Sequence, residues 1–358
     1  MSIQALKYIT GSYHQNDCRF LLQPIELTPL SVAEKEQQLQ SGKKHYSEMI
    51  STESEPSAQY LEIFRYLVNQ YKQRLAEEIT VLARCLHQIK GKDNTIVSLA
   101  RAGTPIGVLL ARALKYYYNS NVNHYSISII RDRGIDQVAL TYLKNQGYAA
   151  DSIIFVDGWT AKGVITQELK TSIQDWNLQN PDYIISDELC VVSDIGGSAD
   201  IVATDDDYAI PSGVLNSTVS GLVSRTINLQ EHKGFHQCIT YDHLKEHDLS
   251  NWFIDQVTSL FDQSLLTKHT DWCSNQSYQL QRKRIVSDFI DQVMLDYQVD
   301  DINKIKPGIS EATRVMLRRI PRILILKDIN SPNVKHLIVL SKEKTLKSLK
   351  ISICHLML

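Results

Sequence analysis

The residues of this sequence that are best suited to chemistry stand at the ends of apolar runs. The clearest is Asp157, which follows the run 152–156 and precedes a turn of small and hydroxyl-bearing residues. Backbone N–H groups in such a turn can bind phosphate oxygens, and a carboxylate can bind sugar hydroxyls or, through water, Mg²⁺. We therefore predict a phosphate-binding turn made of Gly158, Thr160, Ala161, Lys162 and Gly163.

Two arginine-bearing loops follow other apolar runs and suit the same kind of ligand. Arginine is always charged and donates paired hydrogen bonds, which fits phosphate. Each loop alone is more typical of ordinary turn geometry, so the prediction rests on their coincidence at successive strand ends. A further acid, Asp194, ends another apolar run. The loop residues concerned are Arg101, Ala102, Gly103 and Thr104 in the first loop, and Arg131 and Arg133 in the second.

The elements that would position these residues alternate between strand and helix. Strands are predicted at 95–100, 125–130, 152–156 and 188–193, with helical patterns between them. The strand that carries Asp157 is expected to end at that residue. In open parallel sheets, ligands bind beyond the carboxyl ends of the strands. The sequence therefore predicts an α/β fold with a doubly wound, mostly parallel sheet.

Length and charge predict more than one domain. The chain has 358 residues and a net charge of −2, yet residues 304–358 carry twelve Lys or Arg against three acids. We predict a first domain at 1–273, a connector at 274–303 and a basic module at 304–358. No apolar segment approaches the roughly 18 residues of a membrane helix, so we predict a cytoplasmic protein without a membrane partner.

Longer motifs resemble a known family. They are Val-Ser-Leu-Ala-Arg-Ala-Gly-Thr-Pro at 97–105, His-Tyr-Ser-Ile-Ser-Ile-Ile-Arg-Asp-Arg-Gly-Ile-Asp at 124–136 and Phe-Val-Asp-Gly-Trp-Thr-Ala-Lys-Gly at 155–163. They are similar to the phosphoribosyltransferase-related proteins of bacterial tellurium-resistance and stress operons, a family also labelled cysteine protease StiP. The likeness covers roughly residues 1–260 and implies a type I phosphoribosyltransferase fold.

The resemblance implies roles for the predicted site. Asp157 would meet the ribose hydroxyls, Arg131 and Arg133 would belong to a catalytic mobile loop, and Arg101 would help to bind pyrophosphate. The expected ligand is phosphoribosyl pyrophosphate with Mg²⁺. The expected reaction is transfer or exchange of the ribosyl group on a nucleoside-like or RNA-linked acceptor, in a stress or tellurium-resistance system.

One departure leaves a second function open. The transferase signature has two consecutive acids, whereas Gly158 follows Asp157 here. Asp194 or the acids at 205–207 are alternatives for the missing carboxylate. A non-catalytic sensor that binds the phosphorylated sugar, together with RNA, is the alternative that this loss favours.

A cysteine protease is the third functional hypothesis. It needs a cysteine nucleophile, a nearby histidine and an orienting acid or amide. The six cysteines form no Cys-x-x-Cys pair, and Cys190 and Cys85 fall in an apolar strand and a helix, where inert buried thiols are common. Cys238, two residues after His236, is the least unfavourable candidate.

The basic tail at 306–319 resembles a Pelota-type RNA-binding module. Arg314 and Arg318 are four residues apart and would share a helix face that can bind phosphates. A merely solvated basic helix is the alternative, and strands are predicted at 323–326 and 336–340. The resemblance fades after Leu340, so the module is expected to be incomplete, and a homo-oligomer is left open. The other predicted RNA-binding residues are Arg319, Arg322 and Lys327.

Overall fold

The computed structural model describes residues 7–28, 30, 34, 45–50, 53–229, 233–267, 276–318, 321–343 and 349–351. The strands within these ranges are β1 (Arg19–Phe20), β2 (Gln23–Pro24), β3 (Asp93–Ala100), β4 (Asn121–Ile130), β5 (Gly134–Ile135), β6 (Ile153–Thr160), β7 (Leu189–Asp194), β8 (Ile201–Thr204), β9 (Gln237–Cys238), β10 (Leu324–Leu326) and β11 (Leu349–Ile351). The α-helices are α1 (Ala58–Lys90), α2 (Thr104–Tyr118), α3 (Gln137–Asn145), α4 (Val164–Gln179), α5 (Ser250–Thr258), α6 (Gln276–Asp296), α7 (Ile309–Arg318) and α8 (Lys335–Glu343).

The central sheet confirms the predicted fold class. Its strand order is β1-β4-β3-β6-β7-β8, and every neighbouring pair along this path is parallel. Only the short β5, which pairs with β4, runs antiparallel within the described sheet. Helices α2, α3 and α4 lie in the crossovers from β3 to β4, from β4 to β6 and from β6 to β7, as in a doubly wound sheet, whereas a short loop joins β7 to β8.

The sheet separates two apolar layers because successive strand residues point to opposite faces. In β6, Ile154 and Val156 pack in the cluster that holds α1, α2 and α5, whereas Ile153 and Phe155 pack in the cluster with α3 and α4. These four side chains are almost fully buried. Helices therefore cover both faces, and polar chemistry is left to the two edges where the strands begin and end.

The predicted end of the strand at Asp157 is wrong, since β6 continues to Thr160. Trp159 and Thr160 pair with Ser193 and Asp194 of β7, and this pairing extends the strand. Asp157 consequently lies within the strand and not in the loop after it.

The C-terminal part forms a small α/β module that packs against the first part of the chain. Strands β10 and β11 pair in parallel, and helices α7 and α8 pack against each other. The strand predicted at 336–340 is wrong, because Leu337 and Leu340 are buried on one side of helix α8. Within the described ranges, no helix is both long enough and apolar enough to cross a membrane.

Candidate functional site

One of the two predicted arginine-bearing loops, 101–104, lies beside Asp157. The turn at Gly103 touches β6 so closely that a Cβ on this glycine would lie 2.5 Å from the carbonyl oxygen of Val156 and 2.9 Å from the Cα of Asp157. The loop 101–104 and the middle of β6 are therefore in direct backbone contact. We call this region, with the turn 160–163, the strand-end site.

The Asp157 carboxyl is the titratable centre of the strand-end site. Its Oδ1 accepts a hydrogen bond of 2.7 Å from the N–H of Gly158. The pKa of this carboxyl is raised to about 7, mainly by burial and to a smaller extent by Glu311. The hydrogen bond from the Gly158 N–H and the charge of Arg314 act in the opposite direction. A carboxyl that titrates near neutral pH can exchange a proton under physiological conditions.

A C-terminal segment, residues 302–314, lies across the strand-end site, and we call it the covering segment. The indole Nε1 of Trp159 donates to Glu311 Oε1 at 3.2 Å, and the guanidinium of Arg314 lies 5.5 Å from the Trp159 ring. The cavity that remains between Arg101, Ala102 and Arg314 has a volume of about 10 Å³. A space of this size holds one water molecule at most.

The charged residues predicted to bind phosphate instead hold the covering segment. Lys162 Nζ donates to the carbonyl oxygens of Ile302 and Ile305, at 2.9 and 3.0 Å. Burial, together with the nearby cations Lys306 and Arg131, lowers the pKa of Lys162 to about 8. Arg131 Nη1 donates to Asn303 Oδ1 at 3.2 Å.

The other two predicted arginines are paired with acids of the chain. Arg133 forms an ion pair with Glu48 and also donates to the carbonyl oxygen of Asn228. Arg101 Nη1 lies 3.1 Å from Glu53 Oε2, and Glu53 Oε1 also accepts from the N–H and hydroxyl of Ser217. Glu53 was not among the predicted residues, because nothing in the polar stretch around it indicates a distant arginine partner.

Three further predicted residues have partners within the fold. The Asp194 carboxylate accepts hydrogen bonds of 2.6 to 2.9 Å from the N–H groups of Gly196, Ser198 and Ala199. Its hydrogen bonds therefore stabilise the loop that follows β7. Thr160 shares a hydrogen bond with Ser198, and the buried Thr104 shares one with Ser126. Asp194 therefore does not supply the missing second carboxylate.

The turn 161–163 keeps its backbone shape but faces other parts of the chain. Gly163 has a φ of +71° and begins α4 without a side-chain cap. The Ala161 carbonyl lies where a Cβ on Gly196 would stand, at 1.6 Å. The described residues contain no group of three or more His, Cys, Asp or Glu side chains that could hold a metal ion, so Mg²⁺ stays a prediction.

The predicted RNA-binding residues fall in different environments. Arg314 contacts Trp159 within the strand-end site, whereas Arg322 and Lys327 are exposed. Arg322 Nη2 donates to the carbonyl oxygen of Tyr297 at 2.6 Å. The side chain of Arg318 and the whole of Arg319 lie outside the described residues.

The described free cysteines are Cys18, Cys190 and Cys238, and all three are buried. Burial raises the pKa of the Cys238 thiol to about 12 and raises the pKa values of Cys18 and Cys190 well above the usual range. Cys85 is disulfide-bonded. The two remaining cysteines, Cys273 and Cys354, lie outside the described residues.

His236, close to Cys238 in the sequence, forms hydrogen bonds that the sequence did not predict. His236 Nδ1 lies 2.7 Å from the hydroxyl of Ser128, and the His236 N–H donates to Asp136 Oδ2 at 2.6 Å. The carbonyls of His236 and Cys238 both accept from the N–H groups of strand β2 and the residue after it. The two side chains therefore share one face of the extended chain.

Comparisons with known proteins match two parts of the chain to described families. Residues 11–258 match the family described as tellurite-like stress resistance cysteine protease StiP, and residues 285–352 match the PELOTA RNA binding domain. A relative from Acinetobacter baylyi, named cysteine protease StiP, is 41% identical over 352 residues. The alignment covers 93% of this chain and 89% of the relative.

Solved phosphoribosyltransferase structures resemble part of the chain weakly. A hypoxanthine-guanine phosphoribosyltransferase from Bacillus anthracis aligns with a TM-score of 0.29 and 13% identity, over 47% of this chain and 94% of its own. An alanine mutant of an invariant aspartic acid in HPRTs aligns with a TM-score of 0.27 and 15% identity, over 37% and 77%. Likeness at this level assigns no activity.

The predicted phosphoribosyltransferase activity, with phosphoribosyl pyrophosphate as substrate, is therefore wrong. A relative that matches nearly the whole chain is named a cysteine protease, and the matching family has the same description. The physical reason is visible at the strand-end site. The covering segment fills it, Arg101 and Arg133 are paired with acids, and Asp157 has no second acid beside it in the strand.

Proposed function

Because the chain belongs to the StiP family of tellurite-like stress resistance cysteine proteases, we propose that it cleaves peptide bonds with a cysteine thiolate. The observation that carries this proposal is the 41% identity to the cysteine protease StiP of Acinetobacter baylyi, over 93% of this chain. The family description also supports a role in resistance to stress.

The nucleophile that we assign is Cys238, with His236 as its base. Of the described free cysteines, Cys238 shares an extended segment and a face with a histidine, and the Asp136 carboxylate stands at the backbone of that histidine. With a pKa of about 12 the thiol is protonated at rest. Catalysis therefore requires His236 to take the thiol proton as Sγ bonds to the substrate carbonyl carbon, and to pass it to the leaving amine as the peptide C–N bond breaks. Water then hydrolyses the acyl thioester and restores the thiol. The local chain must open for the substrate.

The test is hydrolysis of fluorescently labelled casein by the purified full chain. We expect activity that is blocked by iodoacetamide and lowered about 100-fold or more by His236→Gln, the size of a lost general base. All six single Cys→Ser variants are compared, with circular dichroism as the check of folding. Hydrolysis that survives iodoacetamide and every Cys→Ser change would contradict a thiol mechanism, as would the absence of any hydrolysis.

We also propose that the C-terminal module binds RNA. The match of residues 285–352 to the PELOTA RNA binding domain supports this, as do the exposed Arg322 and Lys327. Fluorescence anisotropy with single-stranded RNA is the measurement. Replacing Arg322 and Lys327 by Gln should weaken binding and reduce the salt slope by roughly one per lost contact, whereas Lys92→Gln, in the first part of the chain, should change neither.

A further inference from the structure

A cavity of about 380 Å³ opens at the edge of the sheet opposite the strand-end site. Its wall includes Asn123 and His124 of β4, which align through β3 with the first two residues of β6. Because these strands are parallel, the cavity lies toward their amino ends, whereas Asp157 lies toward the carboxyl end. We call it the amino-edge cavity.

Arg19 is a fixed cation in the wall of the amino-edge cavity. Its guanidinium lies 5.5 Å from the ring of Tyr8 and 5.7 Å from the ring of Tyr125, and Nη1 donates to Asn123 Oδ1 and to the Tyr125 hydroxyl. Its Nε is buried without a hydrogen-bond partner. The described partners are neutral, so the positive charge of Arg19 is held in place but not balanced by an acid.

Lys115 is the second cation of this wall. Its Nζ donates to the carbonyl oxygen of Asn16 at 3.1 Å. Burial lowers the pKa of Lys115, Asp17 raises it, and Arg19 and Arg112 lower it, so these charges lie within electrostatic reach of one another. Among the described residues, no ion pair involves Lys115.

The one acid in the wall, Asp17, is already paired with an arginine. Arg112 binds both carboxylate oxygens of Asp17, at 2.9 and 2.6 Å, and also pairs with Asp255 at 2.7 Å. His124 does not add charge, because burial lowers its pKa to about 4 and its ring nitrogens contact the Asp17 carbonyl and the Ser98 hydroxyl. Arg112 is shared between two acids, so part of the Asp17 charge stays on the wall, and Arg19 and Lys115 are the described cations of the wall that are not paired with an acid.

We propose that the amino-edge cavity binds a small phosphate-bearing anion between Arg19 and Lys115. Both cations attract a phosphate group, and a guanidinium and an ammonium are the side-chain donors that phosphate prefers. The volume lies in the range of pockets that bind metabolite-sized ligands. The proposed phosphate site does not involve Cys238 or His236, so a test of phosphate binding does not depend on the proposed protease activity.

The test is calorimetric titration of the full chain at constant ionic strength, first with inorganic phosphate and then with ribose 5-phosphate, and with ribose as the uncharged control. We expect both phosphates to bind and ribose not to bind. Tighter binding of ribose 5-phosphate identifies a phosphomonoester as the ligand class, and equal binding identifies phosphate itself. Arg19→Gln and Lys115→Gln should each weaken binding about 10-fold or more.

The matched control is Lys92→Gln, which removes one exposed cation beside β3 at the same edge but outside the wall of the cavity. It should leave the affinity unchanged. Phosphate binding should also raise the pKa of Lys115, measured by NMR of ¹³C-methylated lysines, and Lys115 is exposed enough for its replacement to leave the fold intact. Absence of binding, or equal weakening by Lys92→Gln, would overturn the proposal.

Discussion

The two edges of the central sheet carry similar residue types but differ in what occupies them. At the strand-end site, Arg101 is paired with Glu53, Lys162 binds two carbonyls, and the remaining cavity measures about 10 Å³. At the amino-edge cavity, Arg19 and Lys115 line a space of about 380 Å³, and among the described residues neither cation is paired with an acid. Residue type alone therefore does not locate a ligand site; the partners supplied by the rest of the chain decide it.

The largest expected effect comes from the close backbone contact between Gly103 and β6 at the strand-end site. Gly103→Ala places a Cβ 2.5 Å from the carbonyl oxygen of Val156, and we expect a loss of about 3 kcal/mol in the free energy of unfolding. Gly158→Ala, whose Cβ would meet nothing closer than 3.6 Å, is the control at the same site. Urea denaturation measures both, and equal stabilities would contradict the tight contact.

Removal of an acid should affect the strand-end site next most strongly. Glu53→Gln leaves the Arg101 side chain, which is 10% exposed, without its carboxylate, and we expect a loss of about 2 kcal/mol. Arg19→Gln at the amino-edge cavity breaks no ion pair and should cost clearly less. If thermal unfolding shows the reverse order, the contrast between the two edges is wrong.

The raised pKa of Asp157 should make the stability of the fold depend on pH. Its pKa in the folded chain is about 7, against 3.8 for an ordinary aspartate, so the folded state holds a proton that the unfolded state has lost. The stabilisation from this proton is complete below about pH 4 and disappears as the pH rises through 7. Between pH 6 and 8 the free energy of unfolding should fall by about 1 kcal/mol. Asp157→Asn should remove this decline, as measured by denaturation at each pH, and a parallel pH profile would refute the assignment.

The smallest expected effect concerns the covering segment. Lys162→Met removes two hydrogen bonds to the carbonyls of Ile302 and Ile305, and amide hydrogen exchange across 302–314 should accelerate about threefold. Lys115→Met is the matched change at the opposite edge and should leave this exchange unaltered. Unchanged exchange in the Lys162 variant would mean that the lysine does not hold the segment.

The strands of the sheet were predictable because their apolar runs are local. The alternation in β6, for example, assigns Ile154 and Phe155 to opposite layers without any knowledge of the fold. The run 336–340 was ambiguous, because a short apolar run fits either a strand or a helix. In the structure it is helical, and Leu337 and Leu340, three residues apart, are buried on one side of α8.

The state of the strand-end site was not predictable from local sequence. The loop 101–104 does lie against Asp157, as expected, but the partners that fill the site come from far along the chain. Glu53 is 48 residues from Arg101, and Ile302 is 140 residues from Lys162. Such contacts leave no periodic signal, so residue types suited to phosphate were read as a ligand site when they serve the chain itself.

The central claim is that thiol chemistry at Cys238, and not sugar chemistry at the strand-end site, is the activity of this chain. Its most direct measurement compares casein hydrolysis by Cys238→Ser and Cys190→Ser, two changes at fully buried free thiols. The account predicts that activity is lost in the Cys238 variant and kept in the Cys190 variant. Full activity in the Cys238 variant, with both proteins folded, would contradict it.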